Sequence, residues 1–208
     1  MLTLETILTF WLASTLLALA PGPDNIFVLT QSALHGKGSG IVTSFGLMTG
    51  VLVHTCAVAF GMAAIFQTSE TAFSLLKVAG AGYLLYLAWK SFRTKEQSIS
   101  GRGNGRPTYR QLYVRGILMS VTNPKVSIFF LAFLPQFADP ARGSMTLQFL
   151  QLGGLFILSA LVVFLGVALL AGMLGQWMNK SPRVQSAMNK TAGLVFTALA
   201  LKIATVHQ

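Results

Sequence analysis

Two proline-containing breaks interrupt hydrophobic segments at corresponding places in the two halves of this chain. The first covers residues 21–25 (PGPDN) and the second covers residues 123–125 (NPK). Each break lies in a segment long enough to cross a bilayer, and each carries a charged residue. Because lipid offers no hydrogen bonds, freed backbone groups and charges must be buried in protein or line a wet cavity. The pattern therefore predicts a membrane fold in which broken helices surround an internal site.

The composition also indicates a membrane protein. Hydrophobic residues make up 53% of the chain and charged residues 10%, with a mean hydropathy of +0.66, whereas a soluble domain averages about 25% charged residues. The formal charge of +10 is concentrated in one linker and one loop, which argues against nucleic acid as a partner. The single cysteine, Cys56, cannot form an internal disulfide and is interpreted as a small buried apolar residue.

Windows of about 20 apolar residues predict six membrane spans. They cover residues 6–34, 41–66, 72–92, 112–137, 147–174 and 187–206. We expect the first segment to be retained and not cleaved as a signal peptide, because no basic residue precedes it.

A Gly-, Ser- and Arg-rich stretch divides these spans into two groups of three. It predicts a basic, flexible cytoplasmic linker at residues 93–110 between a three-helix repeat at 1–92 and a second one at 111–208, all within one membrane domain. An odd number of spans per repeat inserts the second half upside down. The predicted fold class is therefore an all-α integral membrane protein of six transmembrane helices, arranged as two inverted three-helix repeats, with the first and fourth helices broken at prolines.

Lys and Arg residues are distributed unevenly between the two sides of the predicted membrane. Ten lie in the linker region or in the loops after the first and fifth spans: Lys37, Lys90, Arg93, Lys95, Arg102, Arg106, Arg110, Lys180, Arg183 and Lys190. Arg142 alone lies on the opposite side, in the company of Glu70 and Asp139. Because basic loops remain in the cytoplasm, we predict that both termini lie outside it.

The prolines are expected to free backbone carbonyls inside each broken span. A proline lacks an N–H and clashes with the carbonyl four residues earlier. The affected carbonyls belong to Leu17 and Leu19 at the first break and to Ser120 at the second. Gly22 permits backbone angles that other residues resist. We therefore predict two pairs of half-helices whose freed polar groups face a cavity.

Asp24 and Lys125 are two charged residues that are predicted to lie inside the membrane, where each is unfavourable without a partner. An ionised carboxylate near the centre of a bilayer costs about 2.5–3.5 kcal/mol on insertion scales, and a cation is unfavourable at a helix N-terminus. Each charge therefore needs a partner, and the inverted geometry would bring the two breaks together. A contact between Asp24 and Lys125, direct or bridged by substrate, meets both needs. A purely structural ion pair is the alternative.

A zwitterionic amino acid fits such a site, with its carboxylate at Lys125 and its ammonium at Asp24. The candidate substrate-binding residues are Pro21, Gly22, Pro23, Asp24, Asn25, Asn123, Pro124, Lys125 and Gln136. Asp24 and His54 are the candidates for proton coupling, with a hydrogen-bonded packing role as the alternative for His54. We expect no catalytic residues, no metal site and no cofactor.

These residues favour a secondary transporter. The chain has no nucleophile–base pair that would indicate an enzyme and no glycine-rich phosphate loop that would bind a nucleotide. A small-solute channel, or an exporter of a metabolite other than an amino acid, remains as an alternative. The expected partners are a small-molecule substrate, protons and membrane lipid, and the sequence leaves a homodimer open.

The motif residues 20–25 (APGPDN), the turn at residues 36–38 (GKG) and residues 122–125 (TNPK) resemble those of the LysE/RhtB family of amino-acid exporters. The resemblance extends over the whole chain. It implies proton-driven export of amino acids or related metabolites across a bacterial inner membrane, which places both termini in the periplasm. The PGP element of the family corresponds to Pro21, Gly22 and Pro23, and its NPK element to Asn123, Pro124 and Lys125. Many members of this family carry Asn where this chain has Asp24.

Overall fold

The computed structural model describes residues 2–62, 70–93, 107–180 and 182–205, and every regular element in these ranges is helical. Eight α-helices follow one another in these ranges: α1 (Leu4–Leu19), α2 (Pro23–His35), α3 (Lys37–Ala57), α4 (Glu70–Arg93), α5 (Tyr109–Thr122), α6 (Pro124–Ile128), α7 (Met145–Lys180) and α8 (Pro182–Thr205). Wider π-helical turns extend α3 over Val58–Met62. The all-helical character predicted from the sequence is confirmed for the described part of the chain.

The segment after α6 changes its helical pitch twice. It continues as π-helical turns over Phe129–Phe133 and as a 3-10 turn over Leu134–Phe137. A second 3-10 turn at Pro140–Arg142 then leads to α7. Mixed helix types of this kind are common where a helix passes a functional site.

Both predicted breaks are present. α1 and α2 meet at an angle of 60°, and α5 meets the segment Pro124–Phe137 at 50°. Gly22 and Asn123 are the N-cap residues of the second half-helices, and Pro23 and Pro124 follow at the start of each. Proline is favoured at the first helical position, where its missing N–H would have no intrahelical partner. Local sequence therefore ends one helix and begins the next at each break.

The described residues contain two to four candidate membrane spans, where the sequence predicts six. By length and composition, the helices Lys37–Gly61 and Met145–Ala171 are long and apolar enough to cross a membrane, and counting each bent pair as one span raises the number to four. The predicted third and sixth spans coincide with α4 and α8. Each of these has 24 residues, about 36 Å of helix. Neither contains a window that is as apolar and as poor in charged residues as those of the other spans. The inverted six-span arrangement therefore stays a prediction.

The distribution of side chains is that of a protein whose outer surface is not in water. Large apolar side chains are exposed, including Phe60 at 67% and Leu194 at 65%. The interior contains polar residues, among them Ser14, Thr43, Ser44, Asp24, Asn123 and Lys125. Buried polar groups need hydrogen-bond partners inside the protein, and the two breaks supply several of them.

Glycines bring α3 and α5 unusually close together. A Cβ atom on Gly116 would lie 2.6 Å from the carbonyl oxygen of Thr43, and one on Gly50 would lie 2.5 Å from the Cβ of Ser120. Side chains larger than glycine would force these helices apart. The close packing therefore fixes the position of Ser120, one turn before the second break.

The helices are longer than the predicted linker boundaries allow. Thr108 caps α5, because its hydroxyl accepts a hydrogen bond from the backbone of Gln111 while the Gln111 side chain accepts from the Thr108 backbone. This reciprocal capping box begins the helix at Tyr109. At the other end, Arg93 belongs to α4. Residues 94–106 of the predicted linker lie outside the described residues.

Candidate substrate site

Lys125 contacts the end of α1 from across the molecule. Its ammonium donates hydrogen bonds to the carbonyl oxygens of Leu17 at 3.3 Å and Ala20 at 3.2 Å. Its backbone lies at the start of α6, where a cation is unfavourable, but its long side chain carries the charge to the C-terminal end of α1, where a cation is favourable. The freed carbonyl of Leu17, predicted from Pro21, therefore has a cationic partner.

The space around the Lys125 ammonium depends on Gly22. A Cβ atom on Gly22 would lie 3.0 Å from Lys125 Nζ, so a larger residue would displace the ammonium. Asn25 satisfies a neighbouring carbonyl, since its Nδ2 donates to Ala18 O at 2.7 Å. Side chains from both breaks thus donate hydrogen bonds to carbonyls at the end of α1.

Asn123 connects the two breaks directly. Its Nδ2 donates a 2.6 Å hydrogen bond to Oδ2 of Asp24, which lies in the first turn of α2. Its Oδ1 accepts from the backbone N–H of Lys125 at 3.0 Å and so caps α6. One amide side chain therefore begins a half-helix and orients the buried carboxylate. Its small size and dual donor–acceptor character explain why asparagine suits this position.

Asp24 and Lys125 do not form an ion pair within 4.0 Å. The hydrogen bonds of Lys125 go to α1 carbonyls, and that of Asp24 goes to Asn123. The direct contact that the sequence suggested is therefore absent, because each charged group hydrogen-bonds to a different partner. Contact bridged by a ligand remains a prediction.

Both charges line one small internal cavity. Asp24, Lys125 and Ser120 form its polar wall, and the apolar wall includes Leu47, Met48, Val51, Phe156, Ala160 and Phe164. Its free volume is about 10 Å³, enough for roughly one water molecule. An amino acid requires more space than this cavity provides.

Two polar atoms of the lining residues have no hydrogen-bond partner among the described residues. They are Oδ1 of Asp24 and Oγ of Ser120, and both residues are at most 3% exposed. A buried polar group without a partner costs about 1–3 kcal/mol. Such atoms in the wall of one cavity indicate a place for a polar ligand.

His54 and Gln136 lie at different distances from this site. His54 Nε2 is 3.2 Å from the carbonyl oxygen of Ser120, the one that Pro124 was predicted to free, and its ring lies 5.9 Å from that of Phe130. His54 thus touches the second break without lining the cavity. Gln136 lines a separate cavity, and its Nε2 donates to Ala132 O. It follows Lys125 by eleven residues, about 16 Å of helix, which is why it does not reach the site.

The second cavity is larger and polar. It has a volume of about 350 Å³ and is lined by residues that include Glu5, Thr6, Gln136, Asp139 and Arg142. Asp139 and Arg142 form a 2.9 Å ion pair. Hydrogen bonds from the Ala141 N–H and from Arg142 lower the pKa of Asp139 and keep it ionised. Since these two charges satisfy each other, the smaller cavity is the better candidate for the substrate site.

Aromatic side chains connect the walls of the two cavities. Phe156 of the small cavity lies 5.2 Å from Phe129, Phe129 lies 4.8 Å from Phe133, and Phe133 lies 4.9 Å from Phe137 of the large cavity. The rings of Phe129 and Phe133 are fully buried. They pack inside the protein.

The Ser120 side chain is the site residue that the sequence did not indicate. The sequence predicted that its backbone carbonyl is free. Nothing in the sequence distinguished its hydroxyl from those of other serines in the membrane helices. Position is the one signal that could have identified it, because it lies one turn before Pro124.

The family model described as LysE type translocator matches residues 15–206. The chain belongs to the LysE type translocator family. The resemblance found in the motifs is thus confirmed, and the chain is a translocator of this membrane family.

Relatives of this LysE type translocator cover its full length. A homoserine/homoserine lactone efflux protein of Salmonella typhimurium is 33% identical over 209 residues, which cover 99% of both chains. The protein of the same name from Salmonella typhi has the same identity and coverage. An uncharacterized membrane protein of Vibrio cholerae is 30% identical over 95% of this chain and 96% of the relative. No solved structure matches this chain.

Proposed function

We propose that this LysE type translocator exports a neutral amino acid or a close derivative by alternating access around Asp24, Asn123 and Lys125. One observation carries the proposal: a buried carboxylate and a buried ammonium line the same cavity without pairing with each other. A zwitterion supplies the complementary charge to both.

The two charged groups have distinct roles in this proposal. Asp24 Oδ1, which has no partner among the described residues, accepts a hydrogen bond from the substrate ammonium. Two N–H bonds of the Lys125 ammonium go to α1 carbonyls, and the third is left for the substrate carboxylate, since an ammonium has three donors. Asn123 holds the carboxylate of Asp24 in place throughout.

The composition of the cavity wall favours a substrate with a neutral side chain. Asp24 is the one carboxylate among the described residues that line the cavity. A lysine or arginine substrate would place a second cation against apolar side chains, at a cost of several kcal/mol. The printed name of the 33% identical relatives, homoserine/homoserine lactone efflux protein, makes homoserine the first substrate to test.

Proton coupling in this proposal arises because a proton and the substrate ammonium compete for the carboxylate of Asp24. The same oxygen cannot hold a proton and accept the substrate ammonium as an anion, so protonation favours substrate release. His54 is the second candidate for carrying the proton, because its contact with the Ser120 carbonyl places a titratable ring beside the second break. Exchange of a proton for a substrate would then drive export.

We further propose the six-span, inverted-repeat arrangement in a bacterial inner membrane, with both termini in the periplasm. The bends of 60° and 50° at equivalent positions support the repeat, and the Lys and Arg distribution supports the orientation. A reporter fused to the C-terminus should be active in the periplasm. A cysteine introduced at Asn104 should react with membrane-impermeant reagents from the cytoplasmic side alone. Labelling from the periplasmic side would show that the orientation is opposite to the proposed one.

Flux in proteoliposomes tests the function. Vesicles containing the purified protein should transport radiolabelled homoserine with saturation. An imposed pH gradient should accelerate the flux, and a protonophore, which collapses the gradient, should remove this acceleration. Lysine in tenfold excess should not compete. Flux that rises linearly with concentration and ignores the gradient would instead indicate a channel. Protein-free vesicles provide the baseline.

A further inference from the structure

We propose that the hydroxyl of Ser120 recognises a side-chain hydroxyl of the transported amino acid. Ser120 would then select hydroxyl-bearing neutral amino acids over hydrocarbon ones. This inference rests on the proposed transport function and specifies the substrate class of the same site.

The Ser120 hydroxyl differs from those of Thr43 and Ser44 in making no hydrogen bond within its own helix, and it differs from the equally unpartnered Ser14 hydroxyl in lining the cavity. Thr43 Oγ1 donates to the Ser39 carbonyl at 2.8 Å, and Ser44 Oγ donates to the Gly40 carbonyl at 2.8 Å. Serine and threonine inside helices commonly satisfy themselves through the carbonyl four residues earlier. Ser120 Oγ makes no such bond and has no partner among the described residues, although it is 1% exposed.

Packing places this hydroxyl with the two charged residues. Gly50 of α3 lets Ser120 approach closely, and Ser120 lines the same cavity as Asp24 and Lys125. Its backbone carbonyl is occupied separately, by the Asn123 N–H at 3.1 Å and by the His54 contact. Its side chain is therefore left for a ligand.

The cavity thus offers three polar contacts and an apolar remainder. Asp24 matches an ammonium, Lys125 matches a carboxylate, and Ser120 can donate to or accept from one neutral polar atom. The other lining residues, such as Met48, Val51 and Phe156, are apolar. A short 2-amino acid with one side-chain hydroxyl carries a complementary group for each of the three residues, whereas a hydrocarbon side chain leaves the Ser120 hydroxyl without a partner.

Paired substrates provide the test. Homoserine and 2-aminobutyrate share a four-carbon skeleton and differ by the side-chain hydroxyl. Competition for flux in proteoliposomes should show that the native protein prefers homoserine by about tenfold, the value of one hydrogen bond. Ser120→Ala should reduce this preference to less than about twofold.

Ser14→Ala is the matched control. Ser14 is also fully buried, and its Oγ also has no partner among the described residues, but it does not line the cavity. The preference should be unchanged in this variant. Ser120→Cys keeps the size of the side chain with a weaker donor and should give an intermediate preference; it carries the test if Ser120→Ala fails to fold.

The outcomes separate this inference from the function on which it rests. A preference that is absent in the native protein, or unchanged in Ser120→Ala, would overturn the role of Ser120 while leaving amino-acid transport intact. Absence of flux for both amino acids in the native protein would overturn the proposed function and this inference with it.

Discussion

Lys125→Gln is expected to reduce amino-acid flux by about a hundredfold. Removing this ammonium leaves the Leu17 and Ala20 carbonyls short of their donor and removes the charge that meets the substrate carboxylate. Losing a hydrogen bond to a charged group costs about 1.5–3 kcal/mol, and each 1.4 kcal/mol is a factor of ten. Flux in proteoliposomes, normalised to inserted protein, measures the effect.

Asp24→Asn should act differently from Lys125→Gln. The introduced amide oxygen can still accept the Asn123 hydrogen bond, so the link between the breaks survives and the charge alone is lost. We expect flux to fall by about tenfold, one charge-assisted hydrogen bond, and to lose its dependence on the pH gradient. Because the family resemblance implies Asn at this position in many members, coupling is the more informative readout.

The double variant Asp24→Asn with Lys125→Gln distinguishes pairing from substrate contact. The two charges are not paired in the structure, so the double variant should be as inactive as Lys125→Gln. Recovery of flux in the double variant would show that the charges neutralise each other during transport. Lys37→Gln, at an exposed position, is the control and should transport normally.

Pro124→Ala should reduce flux by tenfold to a hundredfold in a protein that still folds. Alanine restores an N–H that can bond to the Ser120 carbonyl four residues earlier and let α5 continue into α6. Asn123 would then enter the helix and lose its 2.6 Å bond to Asp24, worth about 1.5–3 kcal/mol because one partner is charged. Flux and thermal unfolding of the purified protein should be measured together.

The matched control for that prediction is Pro140→Ala. Pro140 also begins a short helical turn, but in an exposed loop outside the small cavity. It should change neither flux nor unfolding temperature. If Pro124→Ala transports at the native rate while remaining folded, the second break is a structural kink and contributes nothing to the site.

Features governed by local sequence were predictable. Proline and glycine chemistry places the breaks, and both are present at the expected residues with Gly22 and Asn123 as N-caps. Hydropathy did not indicate the start of α5 at Tyr109, because the Thr108–Gln111 capping box sets it. Gln136 was assigned to the site by residue type, whereas the length of the helical segment carries it to another cavity.

The sequence by itself determined the helical class, the two breaks and the presence of opposite buried charges, because these depend on backbone chemistry and on the energy of charge in an apolar medium. Only the tertiary structure decided which groups those charges meet. Lys125 contacts α1 rather than Asp24, Asn123 joins the breaks, and Ser120 lacks a partner. Which groups meet depends on differences of a few tenths of an ångström in the spacing between helices. Close glycine contacts between α3 and α5 set this spacing, and no local sequence pattern encodes it.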